Sequence, residues 1–410
     1  MSDRQRVVIT GLGQVSALGS SLDALLPQLL AGKAPFSVIE GLDAPGLERP
    51  IGAMIPDWDS RDWMPAGSLK TTWLVTHFAY AAAVQAFESA GLDRTDRPRG
   101  GIFLGTGFGG QGASEETYRS CFTTPGRRPR PTAIPNAMAN ASASFLATEL
   151  RLTGPNLTLV AACASATHAI GQAFRLLRSG EVDVMLAGGC EAPLTPITMA
   201  AWNAMRVLAP AGADPTQACR PFDASRSGLV VGEGAGVLVL ETFEHAQRRG
   251  AHIYAELLGY GASADAGHIT RPNIEGVTAC MDLALQDAAV EPERIGYLNA
   301  HGTGTPINDR TEADAIRRVF SEHSARLMVS STKAVFGHTM GASGGLEAIA
   351  TILSLNEGHF PPTANLQTID AEFPEIAFIK GEARSEDVEL AMSSSFGFGG
   401  NNAAIVVRNG

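Results

Sequence analysis

The chain of 410 residues carries 31 Lys and Arg against 42 Asp and Glu, a formal net charge of -11. That balance argues against general nucleic-acid binding and against docking on anionic membranes, while leaving room for a local basic patch that meets an acidic partner. Apolar residues make up 45% and charged residues 18% of the chain, enough for large buried cores in two or three domains or one large α/β unit.

The opening stretch MSDRQRVVITGLG turns glycine-rich after an apolar run too short for a signal-peptide core. No later apolar stretch is long enough to span a bilayer. The five cysteines are scattered and lack CxxC spacing, which disfavours a disulfide framework or a zinc site and fits a reducing cytoplasm. A soluble, cytoplasmic protein with no metal is expected.

Short β-rich runs alternate with helical patterns from the start. RVVITGLG (6–13), GIFLGTG (101–107), LTLVAAC (157–163), VDVMLAGG (182–189) and VLVLETF (237–243) read as strands, several ending in glycine. Between them, 76–92 reads as a helix, with apolar positions recurring at three and four and Gly91 as the stop. The second half repeats the idiom. Strands are expected at 252–263, at 295–300 running into a loop, and at 327–332. Helices are expected at 278–290 and 342–358, and a strand, turn, strand at 391–407. Stretches 120–135 and 208–223 read as loops. The alternation predicts α/β architecture, with strands buried on both faces and functional residues at their carboxyl ends.

Four stretches carry candidate chemistry. In LVAACASATHAIGQAF (159–174), Cys163 sits where a strand should turn into a helix, flanked by Ala161, Ala162, Ala164, Ser165 and Ala166. A helix N-terminus there favours thiolate over thiol, and the small neighbours leave room for an acyl chain. A buried, inert packing thiol is the competing reading. In NAHGTGTPINDRTEADA (299–315), His301 leaves a strand for a loop whose Thr303 and Thr305 suit an extended polar ligand. In SSTKAVFGHTMGASGGLEAI (330–349), Lys333 and His338 interrupt a small, apolar run. A buried lysine needs a carboxylate, and Glu347 is the candidate; a solvated lysine is the alternative. In SSFGFGGNNAAIVV (394–407), glycines around Phe396 and Phe398 allow a turn that aims a backbone N–H at a developing oxyanion, or an ordinary hairpin.

Together with CRPFDASRSGLVVGEGAG (219–236), these motifs occur in an order and spacing that cover essentially the whole chain. The sequence resembles the β-ketoacyl-acyl-carrier-protein synthases, close to the elongating type II enzymes of bacterial fatty acid synthesis. The resemblance implies a thiolase-like fold: two similar halves, here 1–250 and 251–410, in a five-layer αβαβα arrangement. It implies that Cys163 takes an acyl group from a carrier-protein thioester. His301 and His338 would promote decarboxylation of a malonyl group, and the resulting carbanion would attack the acyl-Cys163 thioester. Lys333, with Glu347, would hold the geometry; the backbone N–H groups of Cys163 and Phe398 would form an oxyanion hole.

Thr303 and Thr305 match residues that contact a phosphopantetheine arm, Phe108, Phe396 and Thr270 match other substrate-binding positions, and Phe398 also matches an aromatic gate. The prosthetic group belongs to the acyl carrier protein, and no tightly bound cofactor is implied. Partners are that carrier protein and a second subunit, as a homodimer or as a heterodimer with a chain-length factor.

Three departures stand out. Asn401-Asn402 replaces a Thr-Asn pair. MPAGSLKTTW (64–73) replaces a basic stretch, which shifts expected carrier docking to Arg127, Arg128, Arg130 and Arg206. Phe108 stands where a smaller aliphatic side chain is common, predicting a shortened or reshaped acyl pocket. A degradative thiolase would need a cysteine beyond Cys280; the initiating synthases pair Cys and His with Asn; and a non-catalytic chain-length factor would lack Cys163. The catalytic subunit of a polyketide or aryl polyene pathway stays open.

Overall fold

The computed structural model describes residues 4–92 and 99–410. Eleven strands form one mixed sheet. In chain order they are β1 (Val7–Val15), β2 (Gly100–Gly105), β3 (Asn156–Leu159), β4 (Val184–Glu191), β5 (Gly234–Thr242), β6 (Ala255–Ala264), β7 (Tyr297–Asn299), β8 (Met328–Ser330), β9 (Ala377–Phe378), β10 (Leu390–Gly397) and β11 (Asn401–Asn409). The spatial order is β9-β8-β7-β10-β11-β6-β1-β5-β4-β2-β3.

Two similar halves are visible in the pairing. Along β1-β5-β4-β2-β3 the first two junctions are antiparallel and the next two parallel. Along β6-β11-β10-β7-β8 the same succession recurs. The half-sheets join where Val7–Ile9 of β1 pairs with Ala255–Leu257 of β6, so they are continuous rather than separate sheets.

Five helices complete the layers: α1 (Leu74–Ser89), α2 (Ser165–Arg178), α3 (Ile274–Ala288), α4 (Pro306–Phe320) and α5 (Ser343–Glu357). Helices α2 and α5 touch each other and strands of both half-sheets, which makes them the middle layer. Helix α1 covers β1, β5 and β4 on one outside; α3, backed by α4, covers β6 and β11 on the other. Strands β1, β4, β5 and β10 are therefore buried at every residue, and their runs show no polar alternation because neither face meets water. Close packing uses glycine where a side chain would collide: a Cβ at Gly13 in β1 would lie 2.0 Å from the Ala82 carbonyl oxygen of α1.

Two local expectations need correction. The stretch 120–135 is not all loop: helix Gln111–Thr123 takes its first residues and the short helix Ala133–Ala137 its last. Thr117, Ser120 and Thr123 each donate a hydroxyl to a carbonyl one turn back, so these polar side chains are satisfied within the helix, which ends at Thr123 just before Pro125. The strand expected to reach Cys163 stops at Leu159, and Ala162 adopts φ 49°, which ends the extended conformation before the cysteine.

Candidate active site

Cys163 lies in the tight turn between β3 and α2. Ser165 braces that turn, its hydroxyl accepting from the Ala161 N–H at 2.8 Å and donating to the Ala162 carbonyl at 2.7 Å. The positive φ at Ala162 is a conformation small residues tolerate at some cost, and such strain collects at functional turns. Gly397, at the end of β10, backs the turn: a Cβ there would sit 2.7 Å from the Ala161 carbonyl oxygen and 3.2 Å from the Cys163 nitrogen.

Burial pushes the Cys163 thiol up to about 11, against the opposing pull of Lys333 and of the Phe398 backbone N–H, which hydrogen-bonds the sulfur. This corrects the expectation that the helix N-terminus favours the thiolate. Burial of Cys163, 6% exposed, dominates over the charges and hydrogen bonds that reach its sulfur, so the resting group is a thiol.

His301 follows β7 and His338 follows a short helix Lys333–Phe336 after β8. Both are buried, their rings perpendicular with centroids 5.5 Å apart. The Lys333 ammonium donates to His301 Nδ1 at 3.1 Å, and the Met340 N–H donates to His338 Nδ1 at 3.1 Å. Each Nδ1 is thus an acceptor, so in the neutral ring the proton resides on Nε2. Burial, with the Lys333 charge added to it, holds both imidazoles well below the ordinary histidine value. The site presents two neutral Nε2–H donors.

Lys333 is itself buried and pairs with the equally buried Glu347 of α5. Burial raises the Glu347 carboxyl, and the facing ammonium pulls it back.

The donor atoms of Cys163, His301 and His338 all lie within 4.8 Å of one another, and Cys with His is a set zinc takes. Here it does not fit a metal. With both Nδ1 atoms already accepting hydrogen bonds, neither neutral ring keeps a lone pair free on Nε2.

A cavity of about 450 Å³ opens onto this cluster, lined among others by Cys163, His301, His338, Thr303, Thr305, Thr270, Arg206, Phe396 and Phe398. The Thr303 and Thr305 hydroxyls hydrogen-bond each other at 2.8 Å. Phe396 meets His301 edge-on at 5.7 Å. Phe108 does not border this open space. It stands in the apolar cluster behind Cys163, edge-on to Trp202 at 6.3 Å, with Trp202 tilted against Phe398 at 5.8 Å. The arginines divide: Arg206 is at the cavity, whereas Arg127, Arg128 and Arg130 line a separate groove with Lys70. In the departing Asn-Asn pair, Asn401 donates its amide to the Phe398 carbonyl at 3.1 Å and Asn402 to Asp265 at 2.7 Å.

Several supporting residues escaped the sequence reading. Glu312 of α4 accepts the His301 and Gly302 N–H groups, each at 2.7 Å. Asp309 accepts those of Thr303 and Gly304 at 3.0 and 3.2 Å. Their i, i+3 spacing directly after HGTGT put both on one helix face, a signal that was available. Glu191 accepts from Thr106, Phe108 and Gly341, and so ties the loop bearing Phe108 to the loop bearing His338. Burial lifts Glu191 and Glu312 to about 7.

A cysteine in a braced turn, faced by a backbone N–H, two imidazole N–H donors and a buried Lys–Glu pair, is the apparatus of thioester acyl transfer. Residues 4–246 match the family described as Beta-ketoacyl synthase, N-terminal domain, and residues 254–367 its C-terminal domain. The chain belongs to the β-ketoacyl synthase family. It is 41% identical over 409 residues to the 3-oxoacyl-[acyl-carrier-protein] synthase 2 of Coxiella burnetii, covering 99% of each chain. Among solved structures, the ishigamide ketosynthase/chain length factor aligns with a TM-score of 0.92 at 34% identity, over 99% of this chain and 100% of that one. A type II polyketide ketosynthase, solved with its acyl-carrier protein and bound to a hexaketide, aligns at 0.89 and 29% identity, over 99% and 100%.

Proposed function

We propose that the protein condenses an acyl group held on Cys163 with malonyl-acyl carrier protein, giving a 3-oxoacyl-carrier thioester two carbons longer and carbon dioxide, in fatty acid synthesis. The observation that carries this reading is the convergence of one thiol and two Nε2–H imidazoles on a single cavity.

In the first half-reaction the Cys163 sulfur bonds to the acyl carbonyl carbon, the carbon–sulfur bond to the carrier's pantetheine breaks, and the thiol proton ends on the departing sulfur. The oxyanion formed on the way accepts from the Cys163 and Phe398 N–H groups. In the second, malonyl loses carbon dioxide, and the enolate oxygen accepts from His301 and His338. No strong base is needed, because the carbon–carbon bond that breaks supplies the electron pair, so neutral imidazoles suffice. The carbanion then bonds to the Cys163 acyl carbon, the carbon–sulfur bond breaks, and the departing Cys163 sulfur takes a proton from solvent to restore the thiol. Lys333 and Glu347 fix the His301 tautomer. The pantetheine arm runs past Thr303, Thr305 and Thr270, and Arg206 with the basic groove receives the acidic carrier.

The halves 1–250 and 251–410 act as one unit, since Cys163 comes from the first and both histidines from the second. A dimer is supported by exposed Leu157 and Val160 on edge strand β3 and the turn after it, and Tyr118, Phe122, Ile134 and Met138 are further exposed apolar side chains in the segment 118–138. This face suits a second copy or a chain-length factor. No helix among the described residues is long and apolar enough to cross a membrane, and the described cysteines are free, which suits a cytoplasmic location.

The test is incubation with octanoyl-carrier and malonyl-carrier protein, reading products by mass spectrometry. A 3-oxodecanoyl-carrier product with one equivalent of carbon dioxide is expected. Release of free octanoate without chain extension would instead make this a hydrolase.

A further inference from the structure

Strands β10 and β11 are joined by Phe398, Gly399 and Gly400, and the Gly400 N–H closes the turn on the Gly397 carbonyl at 3.1 Å. Phe398 keeps a negative φ while Gly399 takes φ 80°, which is the type II form of such a turn. A glycine at that position also accepts the type I form, with φ of about -90°, and the 398–399 peptide unit flips between the two while the closing bond stays intact. Gly399 is exposed, so water competes for the hydrogen bonds of that unit. Nothing in the turn's own backbone therefore fixes it in one form.

Two contacts from outside the turn do so. The Asn401 side-chain amide donates to the Phe398 carbonyl at 3.1 Å. On the same peptide unit, the Gly399 N–H donates to the Ile269 carbonyl at 2.7 Å. A flip breaks both bonds at once. It leaves the Phe398 N–H on its own peptide, but cuts the turn from its lateral supports just where that N–H meets the Cys163 sulfur. An oxyanion donor acts at full strength only when it is already aimed. Asn401 is also the first of the two asparagines that depart from the Thr-Asn pair, and its amide nitrogen lies one bond farther from the backbone than a threonine hydroxyl.

We propose that Asn401 is a positioning residue for acyl transfer: its amide holds the 398–399 peptide in the form that keeps the Phe398 N–H aimed at Cys163. The proposal rests on Cys163 being the acylated thiol and the Phe398 N–H its oxyanion donor. Because the enolate of the malonyl step is met by His301 and His338 instead, loss of Asn401 bears on one half-reaction and spares the other.

The experiment compares wild type with Asn401→Leu, which has nearly the same shape, adds no charge and removes the donor. Two rates are read in each protein: Cys163 acylation by saturating octanoyl-carrier protein, followed by intact mass, and carbon dioxide release from malonyl-carrier protein supplied alone. Acylation is expected to slow roughly threefold to tenfold, the worth of one hydrogen bond, with carbon dioxide release unchanged. Because the ratio of the two rates is read within each protein, partial loss of folded material cancels. Acylation within about twofold of wild type would overturn the proposal, as would an equal fall in both rates, which would make Asn401 a general structural residue. No acylation of wild type would instead defeat the reading of Cys163 as nucleophile, and this proposal with it.

Discussion

Replacing Lys333 by methionine removes the ammonium that joins Glu347 to His301. Lys333 is 1% and Glu347 2% exposed, and Glu347 Oε2 already has no hydrogen-bond partner, so the carboxylate left behind has no replacement for its counter-charge. Breaking one partner of such a pair costs about 3–5 kcal/mol. Unfolding entropy scales with chain length, which for 410 residues makes 1 kcal/mol worth about 1.2 °C, so a fall in Tm of about 4–6 °C follows if the chain melts as one unit. Glu347→Gln strands the ammonium instead and costs a similar amount.

The double variant removes both charges together and is expected to lose no more than either single one, a coupling of at least about 3 kcal/mol. The loss in Lys333→Met depends on pH with a definite sign. Burial already raises Glu347 above the usual carboxylate value, and without Lys333 it rises further. The protonated folded form is then favoured, so stability is retained at low pH and lost as pH climbs through the raised folded value. Thermal unfolding at pH 5.5 and pH 8 for the four proteins of the cycle reads all of this. Additive losses in the two single variants, or a larger loss at pH 5.5 than at pH 8, would refute the assignment of a buried ion pair.

Other consequences are open to direct assay. Because both imidazoles are held well below the ordinary histidine value, they stay neutral as pH falls from 8 to 6. Decarboxylation of malonyl-carrier protein should therefore show no imidazole limb with a midpoint near 6.5; a descending limb there that persists in Glu191→Gln and Glu312→Gln, the buried carboxyls raised to about 7, would contradict the neutral tautomers. Phe108→Ala should open space behind Trp202, and measured acylation should shift from C6–C8 towards C14–C16 chains; wild type that already turns over C14–C16 primers as fast as C6–C8 would remove the basis for a shortened pocket. Gly397→Ala drives a Cβ to 2.7 Å from the Ala161 oxygen and must displace the turn carrying Cys163 or the strand leading to Phe398. Steady-state kinetics should show a fall in kcat of about 10²–10³, the cost of a lost oxyanion donor, and full activity would contradict that role for the turn.

Local signals carried far here. Glycine-ended apolar runs marked the strands, because a strand buried on both faces has no polar alternation to blur it. The crowd of small residues around Cys163 marked its turn, and an isolated lysine in an apolar run called for a carboxylate such as Glu347. What escaped depends on distance in the chain. The thiol's raised pKa comes from burial by segments brought together only in the fold, and the Phe398 N–H and Lys333 that oppose it arrive from the other half. Glu191 contacts groups on either side of it in sequence, Thr106 and Gly341, and nothing local to it in the sequence announces that. The joining of two half-sheets through Val7–Ile9 and Ala255–Leu257 is likewise a pairing that no pattern in either strand specifies.

The whole reaction depends on Cys163 carrying the acyl group. Intact mass of the protein after incubation with octanoyl-acyl carrier protein, beside Cys163→Ala, tests it most directly. One added octanoyl group is expected on the wild-type chain, mapped by peptide to Cys163, and none on the variant. An adduct that persists in Cys163→Ala, or one that maps to another residue, would contradict it.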